Sequence, residues 1–223
     1  MFSKGKFVVE DHALLFGLIA KKTIEEFGQQ GEEVIEVGVR QYGRERGQRK
    51  AKRVKKTGDE LNLINYFAYK AWEVDPKASV AEFELEEDKL KLKVKQCPWY
   101  KYWRENGFSE YAHLYCCHID SAILKGYQKE LELKLETDQS SGADYCDFYF
   151  KRAKMTEEDL ELIAKKREEV IEQAVKSWRY HTRHLYRNLK EVIEAEFGIK
   201  GSEIIKAAKE QFLAESFEIK VAE

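Results

Sequence analysis

The stretch Phe83-Glu84-Leu85-Glu86-Glu87-Asp88-Lys89-Leu90-Lys91-Leu92-Lys93-Val94 decides the fold of this 223-residue chain. Apolar residues alternate with charged ones, glutamates on the first arm and lysines on the second. That period of two is the signature of strands with one buried face. The short Glu87-Asp88 connection makes the pair a hairpin. A second hairpin lies downstream: Leu131, Leu133 and Leu135 alternate, a loop around Gly142 intervenes, and Cys146, Phe148 and Phe150 alternate again. Between the hairpins, Ser109 to Lys125 reads as a helix that ends at Gly126.

Outward from this centre the period becomes helical. Leu14, Leu15, Leu18 and Ile19 recur at three- and four-residue spacing, and Phe27 closes that stretch before Gly28. A second helix carries Val34, Val37 and Tyr42 on its face. A third is expected over Asp59 to Trp72, with Asp59 as its N-cap. Glu73 to Ser79, containing Pro76, reads as a linker. On the other side Thr156 and Asp159 form a capping-box pattern. A single stripe then runs through Leu160, Ile163, Val170, Ala174, Trp178, His181, Leu185, Leu189 and Val192. Gly198 is expected to stop it, and Ser202 to cap a short last helix. The fold class is therefore α+β: an antiparallel sheet of about four strands, two hairpins around a helix, packed with amino- and carboxy-terminal helices. The chain reads as one domain, residues 1–223, with a helical part (1–75), a hairpin–helix–hairpin core (79–152) and carboxy-terminal helices (156–215). No internal repeat beyond hairpin–helix–hairpin is apparent.

Composition narrows the function classes. The chain is 43% hydrophobic and 36% charged with two prolines, and its net charge is −2. No global field favours nucleic acid or an anionic membrane. Glu10, Asp11 and His12 interrupt the apolar stretch from Phe7 to Ala20, so a signal peptide is not expected. No window is long and apolar enough for a membrane span. A cytoplasmic location is expected, with Cys97, Cys116, Cys117 and Cys146 as reduced thiols. None of them forms a Cys-x-x-Cys pair. The basic run from Arg44 to Lys56 lacks interleaved aromatics for base stacking. It reads as a solvated helix with one or two arginines turned inward to hold a carboxylate. The expected partner is a small molecule rather than nucleic acid or membrane, and a homo-oligomer is compatible with the sequence.

The chemistry-bearing residues concentrate in the middle of the chain. Cys117 and Asp120 are three apart on a helix and share a face. A thiol becomes a nucleophile when its pKa falls. Asp120 alone would oppose that, so its natural task is to orient a base or a cationic substrate group. The plain alternative is a packing cysteine and a capping aspartate. Cys146 shares a strand face with Phe148 and Phe150, as part of a core or a pocket floor. Asp147 points the opposite way. His181 and His184 form a His-x-x-His that could supply a general base or two ligands to one divalent metal, or could be hydrogen-bonded core histidines. No cofactor is otherwise expected. His12, Tyr115 and Trp99, with the neighbouring aromatics Tyr100, Tyr102, Trp103 and Tyr111, suit the wall of a pocket for a small planar ligand and equally suit a core.

Cys117-His118-Ile119-Asp120, Gly126-Tyr127, and Gly142-Ala143-Asp144-Tyr145-Cys146-Asp147-Phe148 together resemble the L-2-amino-thiazoline-4-carboxylic acid hydrolase family, over about residues 97–150. Gly126-Tyr127-Gln128-Lys129 departs from the Gly-Phe-Asn-Pro version of the family's turn. The resemblance implies a hydrolase acting on a small heterocycle or an amidine-like C–N or C–S bond, with an N-carbamoyl-cysteine type of product. In one implied mechanism Cys117 attacks, His181 or His184 moves the proton and Asp120 holds the cationic nitrogen. In the other, a metal on the histidines activates water. Cys146, His12, Tyr115 and Trp99 would line the substrate. The core is also similar to small-molecule-binding domains of the 4-vinyl-reductase type, which implies a non-catalytic sensor as the alternative.

Overall fold

A computed structural model describes residues 7–86 and 89–219. The elements in chain order are α1 (Val9–Lys56), α2 (Leu63–Ala68), β1 (Val80–Glu86), β2 (Lys89–Gln96), α3 (Pro98–Glu105), α4 (Ala112–Tyr127), β3 (Glu132–Thr137), β4 (Cys146–Lys151), α5 (Glu157–Ala174) and α6 (Trp178–Ile219). The architecture is α+β, with one antiparallel four-stranded sheet and helices at both ends of the chain. Two units can be distinguished. The first comprises residues 1–42, 98–116 and 177–223, and the second comprises residues 43–97 and 117–176. No helix among the described residues is long and apolar enough to cross a membrane.

The second unit holds the sheet, in the order β1-β2-β4-β3. Both hairpins expected from alternation are present, and β2 and β4 join them, with Leu90 opposite Phe150, Leu92 opposite Phe148 and Val94 opposite Cys146. Glu87-Asp88 lies outside the described residues, but Glu86 pairs with Lys89 on either side of it. The apolar face receives α2: the Phe67 ring meets Phe83 at 4.9 Å and Phe150 at 5.2 Å between centroids. On the opposite face Lys91 bridges Glu84 and Asp147, and Asp147 is buried and paired there, as its outward register implies.

Helix α4 meets the second-unit part of α1 through small residues. A Cβ on Gly47 would stand 2.0 Å from the Ile123 carbonyl oxygen, one on Gly126 2.2 Å from the Arg44 oxygen, and one on Gly43 2.6 Å from Ala122 Cβ. Gly126 is therefore not the stop expected of it. It lies inside α4, and its missing side chain lets two backbones touch. Asp59 is not a cap either. Asn62 caps α2, its side chain accepting from the Asn65 N–H at 2.9 Å. Asp59 instead accepts from Tyr69 Oη at 2.5 Å, Lys166 Nζ at 2.9 Å and Thr57 Oγ1 at 3.1 Å.

The Tyr69, Lys166 and Thr57 donors outweigh partial burial and hold the Asp59 carboxyl below its ordinary value. A carboxyl depressed in the folded state stabilises above its unfolded pKa of about 3.9 and loses that contribution as pH falls. Asp59→Asn is expected to cost about 1 kcal/mol at neutral pH. The difference from wild type should shrink to nothing in acid, as read by urea unfolding across pH. A constant difference across that range would contradict the assignment.

The carboxy-terminal stripe is two helices rather than one. The capping box at Thr156 and Asp159 starts α5, but Val175 turns extended, and the Lys176 N–H bonds back to the Ala71 oxygen at 2.8 Å.

The first unit is built from two helical elements with the same corner. Glu26-Phe27-Gly28-Gln29-Gln30-Gly31 and Glu196-Phe197-Gly198-Ile199-Lys200-Gly201 share Glu-Phe-Gly-x-x-Gly. Gly28 (φ 56°, ψ −134°) and Gly198 (φ 56°, ψ −128°) take the same backbone conformation, one that only glycine adopts readily. Gly198 thus ends one helix of α6 at a sharp corner, as expected, and another follows, but Ser202 donates to Glu194 instead of capping. The corners meet reciprocally. Phe27 stacks on Phe197 at 3.6 Å, Gln30 donates to Glu196, and Lys200 pairs with Glu26. The six-residue corner is thus an internal repeat, contrary to the expectation of none beyond hairpin–helix–hairpin.

Candidate functional site

Among the described residues, the site candidates from the sequence fall mainly into two clusters, one in each unit. The first-unit cluster surrounds His12, which is buried on α1. The Trp99 Nε1–H donates to His12 Nδ1 at 3.1 Å, and His12 Nε2 lies 3.0 Å from the Tyr42 hydroxyl. An indole nitrogen can only donate, so the neutral His12 ring carries its proton on Nε2 and donates it to Tyr42. Tyr115 and Trp178 each present an edge about the same ring, with centroids 6.0 Å from it. His184 packs against Tyr42 at 4.9 Å and His181 against Trp178 at 5.8 Å. His12, Trp99, Tyr115, His181 and His184 thus come together in a single aromatic cluster. Among the described residues no group of three or more His, Cys, Asp or Glu side chains is arranged to hold a metal ion.

The second-unit cluster contains Asp120 and Cys146. Gly43, Gly47, Ala51 and Val54 form the inward stripe of α1, and Arg46 and Lys50 fall on that stripe, each 8% exposed. The expectation of inward-turned arginines is met by one arginine and one lysine. The Arg46 guanidinium lies 3.6 Å over the Trp72 ring. Lys50 Nζ lies 3.8 Å over the Tyr66 ring and donates to the Tyr66 carbonyl at 2.6 Å. Burial, seconded by Arg46, Arg53 and Arg167, lowers the Lys50 ammonium well below its ordinary pKa. Asp120, half-buried on α4, is raised by burial against the pull of Arg46 and Lys50.

The two thiols of interest differ. Cys146 is buried on β4, and the Gln139 N–H points at its sulfur from 3.4 Å. Burial pushes its thiol up to about 12, so it remains protonated. Cys117 is exposed on α4, three residues before Asp120. Arg46, Lys50, Tyr66 and Trp72 were not singled out from sequence. The signal that marks the first two is their i, i+4 spacing on the same stripe as the glycines.

An α+β chain with a buried charge cluster beside a Cys-x-x-Asp helix turn defines a candidate small-molecule site. The model of the L-2-amino-thiazoline-4-carboxylic acid hydrolase family matches residues 8–150, and the chain belongs to that family. No curated protein and no solved structure matches it.

Proposed function

We propose that this protein is a hydrolase that opens a small cyclic amidine at its C–N or C–S bond, with Cys117 as nucleophile. The observation that carries the reading is the contrast between thiols: Cys117 is exposed one turn before Asp120, whereas Cys146 is buried and held protonated. Family membership supports the reaction class. Asp120, one turn after Cys117 on α4, is the carboxyl assigned to the amidine nitrogen. Because burial makes it keep its proton more readily, it opposes a neighbouring thiolate less than an exposed aspartate would.

With the family's reference compound, the Cys117 thiolate adds to the ring carbon between nitrogen and sulfur. The ring C–S bond breaks and its sulfur takes a proton. Water then forms a C–O bond to the same carbon and displaces Cys117. One water is consumed, and an N-carbamoyl-cysteine type of product appears with a new free thiol. His12, Trp99, Tyr115, His181 and His184 belong to the other unit and are given no step.

Incubation with 2-amino-thiazoline-4-carboxylate is expected to yield a product heavier by one water and reactive with thiol reagents. Cys117→Ser should lower kcat by at least about a thousandfold, with the thermal midpoint unchanged. Full activity in Cys117→Ser would remove the nucleophile from the scheme. Ligand-dependent stabilisation without any product would favour a binding module instead.

A further inference from the structure

We propose that the recess between α1 and α4 lined by Arg44, Gln48, Lys125 and Lys129 binds a small ligand carrying two or more phosphate charges. It uses neither Cys117 nor Asp120 and does not depend on the hydrolase reading.

The recess follows from the close crossing of the two helices at Gly47 and Gly126. Arg44 and Gln48 stand one turn apart on α1 and share a side. Lys125 is in the last turn of α4. There the chain turns back: the Gln128 N–H donates to the Leu124 oxygen at 2.9 Å and the Leu131 N–H to the Gln128 oxygen at 3.3 Å. That turn keeps Lys129 on the same space as Lys125. Tyr127 also lines it and is fixed, its hydroxyl donating to the Asn62 oxygen at 3.0 Å and its ring meeting Tyr66 at 5.3 Å between centroids. The space measures about 520 Å³, within the range of small-molecule sites.

Its charge is one-sided. Arg44, Lys125 and Lys129 are exposed, and none of them makes an ion pair or a side-chain hydrogen bond among the described residues. Other exposed cations of this unit do find carboxylates: Lys95 pairs with Glu82, and Lys151 with Glu132. No acidic residue lines the recess. At position 48, where a glutamate would complete an i,i+4 pair with Arg44, the chain has glutamine. The carbonyl end of α4 supplies about half a negative charge, which leaves roughly two and a half positive charges unmatched. A carboxylate brings one negative charge, a phosphate ester nearly two, and a diphosphate more. The Arg44 fork suits phosphate oxygens, and the lysines serve as adjustable point charges. Tyr127 is only 3% exposed and offers no open face on which a base could stack, so the recess favours a small phosphate over a nucleic-acid strand.

The probe is inorganic pyrophosphate, compared with inorganic phosphate and acetate in metal-free buffer at a constant ionic strength of about 0.1 M. Calorimetry on the full chain should show one pyrophosphate bound, at least about tenfold more tightly than phosphate, and no heat with acetate. Arg44→Gln, and Lys125→Gln combined with Lys129→Gln, should each weaken pyrophosphate at least about tenfold with the thermal midpoint unchanged. The control combines Lys55→Gln with Lys56→Gln, exposed on the same helix but about 17 Å or more along it from Arg44. That separation exceeds the screening length of about 10 Å, so the control should bind as wild type does. Absence of heat with pyrophosphate, acetate binding as tightly, or an equal loss in the control would each overturn the proposal. A single-stranded oligonucleotide that binds more tightly than pyrophosphate, and loses affinity in the control as well, would assign the surface to nucleic acid instead.

Discussion

Gly47→Ala is expected to lower the thermal midpoint by about 6–12 °C, corresponding to about 3 kcal/mol in a protein of this size. The added methyl would stand 2.0 Å from the Ile123 oxygen, 2.5 Å from the Tyr127 nitrogen and 2.7 Å from the Gly126 carbonyl carbon. All three are backbone atoms, so no side chain can swing aside. The only relief is to move α1 and α4 apart. That movement would also separate Arg46 and Lys50, on α1, from Asp120, on α4. A midpoint within about 2 °C of wild type would mean that the helices part at little cost, contrary to the close packing of protein interiors.

Trp103→Ala is expected to cost about 3–5 kcal/mol in urea unfolding. The indole is fully buried, packs against Phe16 at 5.3 Å and Tyr115 at 5.4 Å, and donates its Nε1–H to the Ala13 carbonyl at 2.9 Å. Removal leaves a cavity and takes the indole donor from the Ala13 carbonyl, which keeps only its place in the helix ladder. Trp103→Phe fills most of the space and loses only that one hydrogen bond, so it should cost about 1–2 kcal/mol. Equal losses in the two variants would show that the hydrogen bond, not the volume, dominates.

The sheet was legible because alternation specifies which side of each strand is buried. Glu84 and Lys91 are outward partners, and Leu90 and Phe150 are inward ones, as their spacing implies. That β2 and β4 are the central pair is a long-range fact that local period does not encode. Gly198 was legible as a break in the helix, but Gly126 read as a helix end, because glycine ends helices more often than it permits a close crossing. Helix α3 was hidden because Pro98 opens it, in a segment dominated by aromatics. Asp120 and Cys146 were visible as a motif, but their surroundings were not. Arg46 and Lys50 sit in a run of eight basic residues between 44 and 56. Only the glycine stripe distinguishes the two that turn inward.

The first unit draws its residues from three separate stretches of chain, and its core contacts span nearly the whole length. Phe7 meets the edge of Phe212, with ring centroids 5.7 Å apart. Such contacts form late, because closing so long a loop is entropically unfavourable until both ends exist. During synthesis the second unit, complete at residue 176, is able to assemble while the amino-terminal helix still waits for its carboxy-terminal counterpart. Until α6 is made, His12, Phe27 and Tyr42 of that helix lack their ring partners Trp178, Phe197 and His184. A nascent chain arrested before Trp178 would therefore be the form most prone to chaperone capture and aggregation.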